Sequence, residues 1–189
     1  AAPDGIWRNE MLVEGPAEPV RLACAITISG DRLLVDFAGC GPVVPAAINV
    51  SFAYTCALTT YSIKSLILPH VPNNRGSAVP IEITAPPGCV VHALPPVATA
   101  ARHLVGHFLT PLLYGTMAEA VPDKVQAASA FTNILNLSGT HRSGEAFQTL
   151  YFTAGGLGGM AGLDGLSTTP APSNMKVLST EGRSEEHTS

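Results

Sequence analysis

PVRLACAITISGDRLLVDFAG, residues Pro19–Gly39, is the stretch of this chain whose pattern most clearly indicates a fold. Its first half places apolar side chains at alternate positions, namely Leu22, Cys24, Ile26 and Ile28. A period of two is typical of a strand with one buried face. Ser29–Asp31 supply a turn, after which the alternation resumes at Leu33, Val35 and Phe37. The stretch therefore predicts a hairpin with one face packed on a core.

Downstream of the hairpin, helical and strand patterns follow one another. Residues 47–68 place apolar or aromatic side chains at helical spacing, and a longer helix is predicted over about 99–121. Residues 69–76 have the composition of a loop. Short strands are predicted in four further segments, at 79–84, 89–94, 127–139 and 146–156. Strands and helices in this mixed order predict an α+β fold.

The composition narrows the classes of partner. Of the 189 residues, 46% are hydrophobic and 13% are charged, yet no apolar run reaches the roughly 18 residues of a membrane span. The net charge of -4, without a basic stripe, argues against nucleic acid, which is bound by cations that neutralise phosphates. The four cysteines form no C-x-x-C pair, so we expect reduced thiols in a cytoplasmic protein rather than a structural zinc site.

Two histidines in TAARHLVGHFLTPLLYG (Thr99–Gly115) have the spacing of paired metal ligands on a helix. His103 and His107 are four residues apart and share a helical face. A zinc metalloprotease helix would carry Glu after the first histidine, where this chain has Leu104, and a third ligand is not evident nearby. Pro111 is expected to kink the helix by removing the bond to the His107 carbonyl. A metal site, a polar contact at a substrate or subunit surface, and packed core histidines remain as alternatives.

Three other motifs carry weaker indications. Gly156–Ala161 fits G-x-G-x-x-G/A, but the sequence that follows is a poor helix former, which favours a tight glycine loop over a dinucleotide site. The loop PNNRG (Pro72–Gly76) presents the side-chain amides of Asn73 and Asn74, either as a surface turn or as binding groups. Cys40 lies between two glycines, but a nucleophilic thiol needs an activating neighbour that the sequence does not supply.

Five motifs, in this order and spacing, resemble the hydantoinase B/oxoprolinase family. They extend over about Asp4–Val177 and include DGIWRNE, LLVDFAGCGPVVPAAINVSFAYT, PNNRGSAVPIEITAPPGCVVHALPPVATAARHLVGH, MAEAVPDKVQAAS and GGLGGMAGLDGLSTTPAPSNMKV. The resemblance implies that residues 1–181 are an internal, incomplete piece of a larger hydantoinase B-like domain. The last eight residues, GRSEEHTS (182–189), are polar and resemble a translated sequencing adapter, and we expect them to be foreign to the fold.

The resemblance also implies an activity. Family members take part in the ATP-dependent opening of cyclic amides such as 5-oxoproline or hydantoins, together with a hydantoinase A-type subunit or domain that handles ATP. This chain is thus expected to act in a hetero-oligomer, with ATP bound by the partner. The family's divalent metal motif lies upstream of the region resembled, so none of these residues is expected to bind metal. A subunit of an ATP-dependent ketone carboxylase, or a non-catalytic scaffold, is the alternative.

The segment RHLVGH resembles a family segment, which raises the interest of its polar residues as site or interface groups. Cys40 stands where the family more often has a hydroxyl residue, which weakens it further as a nucleophile. The candidate catalytic residues are therefore Arg102, His103, His107, Asn73 and Asn74.

Overall fold

A computed structural model of the chain describes residues 2–72, 74–129, 133–153 and 155–166. The chain divides into two compact units, with the boundary between Val125 and Gln126. The predicted α+β class is confirmed, since the first unit combines a mixed sheet with helices. The terminal residues 182–189 lie outside the described residues, so their assignment as foreign sequence stays a prediction.

The first unit is built on a four-stranded sheet in which the strands follow chain order. Its strands are β1 (Gly5–Val13), β2 (Val20–Ser29), β3 (Arg32–Asp36) and β4 (Ile81–Thr84). The pairs β1–β2 and β2–β3 are antiparallel, whereas β3–β4 is parallel. Gly30 has a φ of 59°, the left-handed conformation that a two-residue hairpin turn demands and that glycine adopts readily. The predicted hairpin is confirmed with its turn.

Four helices accompany the sheet. They are α1 (Phe52–Ile67), α2 (Arg75–Ala78), α3 (His103–Gly106) and α4 (Leu109–Met117). Because β3 and β4 are parallel, the chain must cross from one end of the sheet to the other between them, and α1 makes this crossover. The predicted helix at 47–68 is thus confirmed in its central part.

The hydrophobic core lies between one face of the sheet and the helices. Its fully buried side chains from β2, β3, α1 and α4 are Leu22, Ile26, Val35, Ile63, Leu109, Leu112, Leu113 and Met117, and the adjoining loops add Phe37, Val50, Val90 and Val91. The β2 and β3 members are those that the period of two selected. Burial of such aliphatic side chains contributes about 1.5–3 kcal/mol each, which makes this interface the main source of stability in the unit.

Two predicted elements differ from the structure. Residues 89–94 form no strand; they make isolated bridges, with Cys89 opposite Pro42 and Ala93 beside Ser51. The helix predicted over 99–121 is two short helices, separated at His107–Phe108.

The interruption has the physical cause expected from Pro111 and falls at the expected position, His107. Pro111 is the third residue of α4 and so lies in its first turn. The N–H groups of a first turn have no acceptor within the helix, so the missing N–H of proline costs no hydrogen bond there. The chain therefore restarts its hydrogen-bonding ladder just ahead of the proline and avoids a kink inside one long helix.

A buried asparagine fixes the loop that leads into α1. Asn49 is fully buried, and its Oδ1 accepts a bond from the Val44 N–H at 2.8 Å. Its Nδ2 donates to the carbonyl oxygens of Val44 at 2.9 Å, Ala46 at 2.6 Å and Ala98 at 3.2 Å. The bond to Ala98 ties this loop to the segment that enters α3.

The second unit contains a hairpin of β5 (Asn133–Thr140) and β6 (Ala146–Thr153), which confirms the predicted strand pair. The glycine-rich run follows in extended and bridged conformation, and no helix occurs within its described residues, 155–166. A Cβ atom at Gly158 would collide with the Ala127 carbonyl, so glycine is required there for close backbone approach. The run therefore lacks the helix N-terminus that a dinucleotide fingerprint uses.

Candidate functional site

The structure brings three of the five predicted site residues together. Arg102 directly precedes α3, His103 begins it and His107 follows its last residue. Asn74 lies elsewhere, immediately before α2, and Asn73 lies outside the described residues. We refer to Arg102, His103, His107 and the adjoining Tyr54 as the α3 cluster.

The α3 cluster rests on the first turn of α1. A Cβ atom at Gly106 would collide with the ring of Tyr54, so α3 lies directly against that ring. Arg102 is exposed, and its Cζ atom lies 5.7 Å from the centroid of the same ring, in cation–π geometry. Partial burial raises the pKa of Tyr54, and the Arg102 charge opposes this rise. The ring thus serves as a platform that presents the guanidinium to solvent.

The histidines of the cluster are close to each other. Their ring centroids are 6.3 Å apart with an interplanar angle of 61°. Burial lowers the pKa of His107, and the positive charge of His103 lowers it further. A neutral imidazole is therefore favoured at His107 near neutral pH, and such a ring can both donate and accept a proton.

Within the described part of the chain, no group of three or more His, Cys, Asp or Glu side chains is arranged to hold a metal ion. The two histidines thus have no third ligand among these residues, which a zinc site would require.

The N-terminus of α1 adds a positive partial charge beside the cluster. Ser51 occupies the N-cap position without a side-chain cap bond, and the first turn contains no acidic residue. The positive end of the helix dipole favours an anion here. Together with Arg102, which overlies Tyr54 in that first turn, this end of α1 is suited chemically to a carboxylate or phosphate group.

Asn74 has a structural function at the start of α2. Its Oδ1 accepts a bond from Ser77 N at 2.9 Å, and the Ser77 side chain reaches back to the Asn74 backbone, which completes a capping box. Along α1, Tyr54 and Lys64 are ten residues apart, which corresponds to about 15 Å at 1.5 Å per residue. Because Ser77 is bonded to Lys64, Asn74 lies near the opposite end of α1 from the α3 cluster.

The cysteines are poor nucleophiles in this structure. Burial raises the pKa of Cys40 to about 12, although the Ala23 N–H donates a bond to its Sγ at 3.4 Å, which opposes the rise. Burial likewise raises the pKa of Cys24 to about 11. Since the thiolate is the reactive form, neither side chain is activated for covalent catalysis.

A sequence model described as Hydantoinase B/oxoprolinase matches residues 1–186 of the chain. The chain belongs to the hydantoinase B/oxoprolinase family. The resemblance found in the five motifs is confirmed. No helix in the described part of this family member is long and apolar enough to cross a membrane.

A curated relative supports the same assignment. It is the putative B-type subunit of a D-/L-hydantoinase from Pseudomonas sp. (strain NS671), and it is 28% identical over 179 residues. The matched region is 87% of this chain and 30% of that protein. The hydantoinase B/oxoprolinase segment described here therefore spans less than a third of that relative's length.

Two solved structures share the fold. The nucleotide-free structure of acetone carboxylase, an ATP-dependent enzyme, matches with a TM-score of 0.75 and 21% identity, over 90% of this chain and 26% of that one. The ATP-dependent caprolactamase from Pseudomonas jessenii matches with a TM-score of 0.68 and 19% identity, over 89% of this chain and 31% of that one. At these identities the likeness establishes the fold alone, which is α+β and matches about a quarter to a third of each of these longer chains.

Sequence reasoning missed two residues that shape these regions. Tyr54 was indistinguishable from a core aromatic until α3 was placed against it. Lys64 is the single charged residue in the segment 47–68, and that isolation was the available indication that it has a special environment.

Proposed function

We propose that this chain is part of an ATP-dependent cyclic-amide hydrolase that opens rings of the 5-oxoproline or hydantoin type. The observation that carries this proposal is the family match over residues 1–186, supported by 28% identity to a putative B-type hydantoinase subunit. The chain would work in the cytoplasm with a hydantoinase A-type subunit or domain that handles ATP. A divalent metal, where the enzyme uses one, would be held by sequence beyond these residues.

The chemistry of ring opening explains why such an enzyme needs positioned polar groups. A ring amide is a poor electrophile, and ATP supplies activation of its oxygen when bound to the partner. Arg102 is exposed on the Tyr54 platform, so its planar guanidinium can bind a carboxylate or phosphate oxygen pair. His107, with its lowered pKa, can accept a proton from water, and the His103 ring lies beside it with the ring centroids 6.3 Å apart. The α3 cluster would thus bind and orient the activated ring.

An ATP-dependent ketone carboxylase is the alternative reaction. The fold likeness to acetone carboxylase is at least as high as that to the caprolactamase, so the fold does not favour one reaction over the other. A third possibility is that this region serves only as a scaffold for the partner, with chemistry elsewhere.

The deciding experiment measures turnover of the chain in complex with its hydantoinase A-type partner. We expect ATP hydrolysis coupled to opening of 5-oxoproline or a hydantoin, and none from the chain alone. Coupling of ATP hydrolysis to acetone and bicarbonate consumption would instead identify a carboxylase. Full activity in the Arg102→Ala and His103→Ala variants would show that the α3 cluster takes no part in the reaction, and it would support a scaffold role for this region.

A further inference from the structure

The last turn of α1 contains a nearly buried lysine without an acidic partner. Lys64 is only 5% exposed. Its Nζ donates to the Pro72 carbonyl at 3.1 Å and to Ser77 Oγ at 2.6 Å, and both acceptors are neutral. Among the described residues the one ion pair joins Arg21 and Glu10 at another place on the surface. Among the described residues, the charge of Lys64 is therefore compensated by the dipoles of neutral groups and not by a carboxylate.

This arrangement leaves the lysine incompletely satisfied. An ammonium group has three N–H donors, and two of them are used by Pro72 and Ser77. Burying a charge costs free energy unless an opposite charge compensates it. An external anion that reached the third donor would therefore gain an interaction that none of the described residues provides.

An open depression gives access to this lysine. Its volume is about 500 Å³, within the range of small-molecule sites. It is lined by Cys56, Ala57, Thr60, Tyr61, Lys64, Asn74, Ser77 and Ala78. These residues include three that carry hydroxyl groups besides the amide of Asn74 and one cation, and no Asp or Glu is among the described residues of the lining.

Asn74 contributes a donor to the same lining. Its Oδ1 is occupied by the Ser77 N–H, so the Nδ2 amide is the part of the side chain left without an acceptor among the described residues. Thr60 and Tyr61, whose side chains carry hydroxyl groups that can donate, also line the depression. One buried cation thus shares the depression with several neutral donors.

We propose that this depression is a binding subsite for a small carboxylate. Lys64 would supply the counter-charge, and the Asn74 amide with the neighbouring hydroxyls would bind the remaining oxygen lone pairs. A single cation with neutral donors matches one negative charge, whereas phosphate is typically met by guanidinium forks or a nest of backbone N–H groups. This subsite is separate from the α3 cluster and does not rest on the proposed function.

Ligand-observed NMR on the full chain tests the proposal directly. Propionate is titrated at constant ionic strength, with propionamide as the neutral analogue of the same shape. We expect saturable binding of propionate and at least tenfold weaker binding of propionamide. Equal affinity for the two, or tighter binding of inorganic phosphate, would overturn the carboxylate assignment.

The sharpest variant is Asn74→Asp. Asp is as good an N-cap as Asn, so the bond to Ser77 N is kept while a carboxylate is placed in the depression. We expect at least a tenfold loss of propionate affinity with thermal stability retained. Gln148→Glu makes the same change of charge at an exposed position in the other unit and should leave binding unchanged.

Lys64→Met provides a second variant with similar length and no charge. Propionate binding should be lost in it, and unaltered binding in either Lys64→Met or Asn74→Asp would refute the subsite. Asn74→Asp keeps Lys64 and its hydrogen bonds to Pro72 and Ser77, so the proposal stays testable even where Lys64→Met fails to fold. Binding is measured without ATP or turnover, so failure here is distinguishable from failure of the proposed hydrolase.

Discussion

Replacing Asn49 by Ala should destabilise the first unit more than any substitution of an exposed polar residue. The side chain is fully buried: its Oδ1 accepts one bond, and its two amide hydrogens are shared among three carbonyl oxygens. Alanine makes none of these bonds, and it leaves the Val44 N–H and the Ala46 and Ala98 carbonyl oxygens without this partner, while the Val44 carbonyl keeps its bond from the Ala46 N–H.

The size of the effect follows from how many of those groups water can reach. A net hydrogen bond is worth about 1 kcal/mol, and an orphaned buried group costs more. Ala98 is exposed, so its carbonyl can return to water, whereas Val44 and Ala46 are partly buried. We therefore expect a loss of about 3 kcal/mol, or roughly 6–12 °C in Tm for a chain of this size.

The measurement is urea unfolding of the full chain, monitored by circular dichroism, with Asn136→Ala as the control variant. Asn136 is exposed on β5 and accepts a single bond from the Gln148 side chain, so its loss should change stability by less than about 0.5 kcal/mol. A loss below 1 kcal/mol for Asn49→Ala would show that the loops on either side hold together without it. The bond from Asn49 to the Ala98 carbonyl would then not be what anchors the segment that enters α3.

Three further predictions concern reactivity and pH. In the complex with its partner, Arg102→Ala should lower kcat/KM for ring opening by about 10- to 100-fold, since a charge-assisted bond is worth about 1.5–3 kcal/mol; an unchanged value would contradict its role. The pKa of His107 is lowered from 6.5 in the folded chain, so the unfolded chain binds this proton more readily and stability should fall as the pH drops through 6.5 toward the folded-state pKa. Denaturation at pH 7.5 and 5.5 should show a smaller difference in His107→Gln. With a pKa of about 12, Cys40 should react with iodoacetamide at pH 7.5 far more slowly than the same thiol in the unfolded chain, as measured by mass spectrometry of the modified peptide.

The elements that the sequence predicted well are those in which burial follows one simple period. In β2 and β3 the large, buried aliphatic side chains occupy one face, so the hairpin could be derived from alternation alone. In β1 the apolar residues fall on both faces: Ile6 and Leu12 are exposed while Asn9 is half-buried. That strand is set by its pairing with β2, which no local pattern reveals.

The candidate site was predictable only in part, for a related reason. The proximity of Arg102 and His103 to one another is a local property and follows from their positions in the sequence. The contact of Arg102 with Tyr54 joins residues far apart in the chain, and it depends on Gly106 allowing α3 to approach α1. Tertiary contacts of this kind decide what a side chain presents to a ligand, and periodicity does not contain them.

The position of α1 determines how the two proposed binding regions relate to each other. Its buried face combines apolar side chains with hydroxyl groups: Thr55 Oγ1 donates to the Val91 carbonyl at 2.7 Å, and Ser62 Oγ donates to Thr110 Oγ1 of α4 at 3.0 Å. Directional bonds at both ends of the helix fix its rotation and register in a way that apolar packing alone would not. Tyr54 and Lys64 are consequently held about 15 Å apart along one axis. A single five-membered ring cannot reach both, so a ring bound at Arg102 and a carboxylate bound at Lys64 must belong to different molecules, and saturating one region should leave the affinity of the other unchanged.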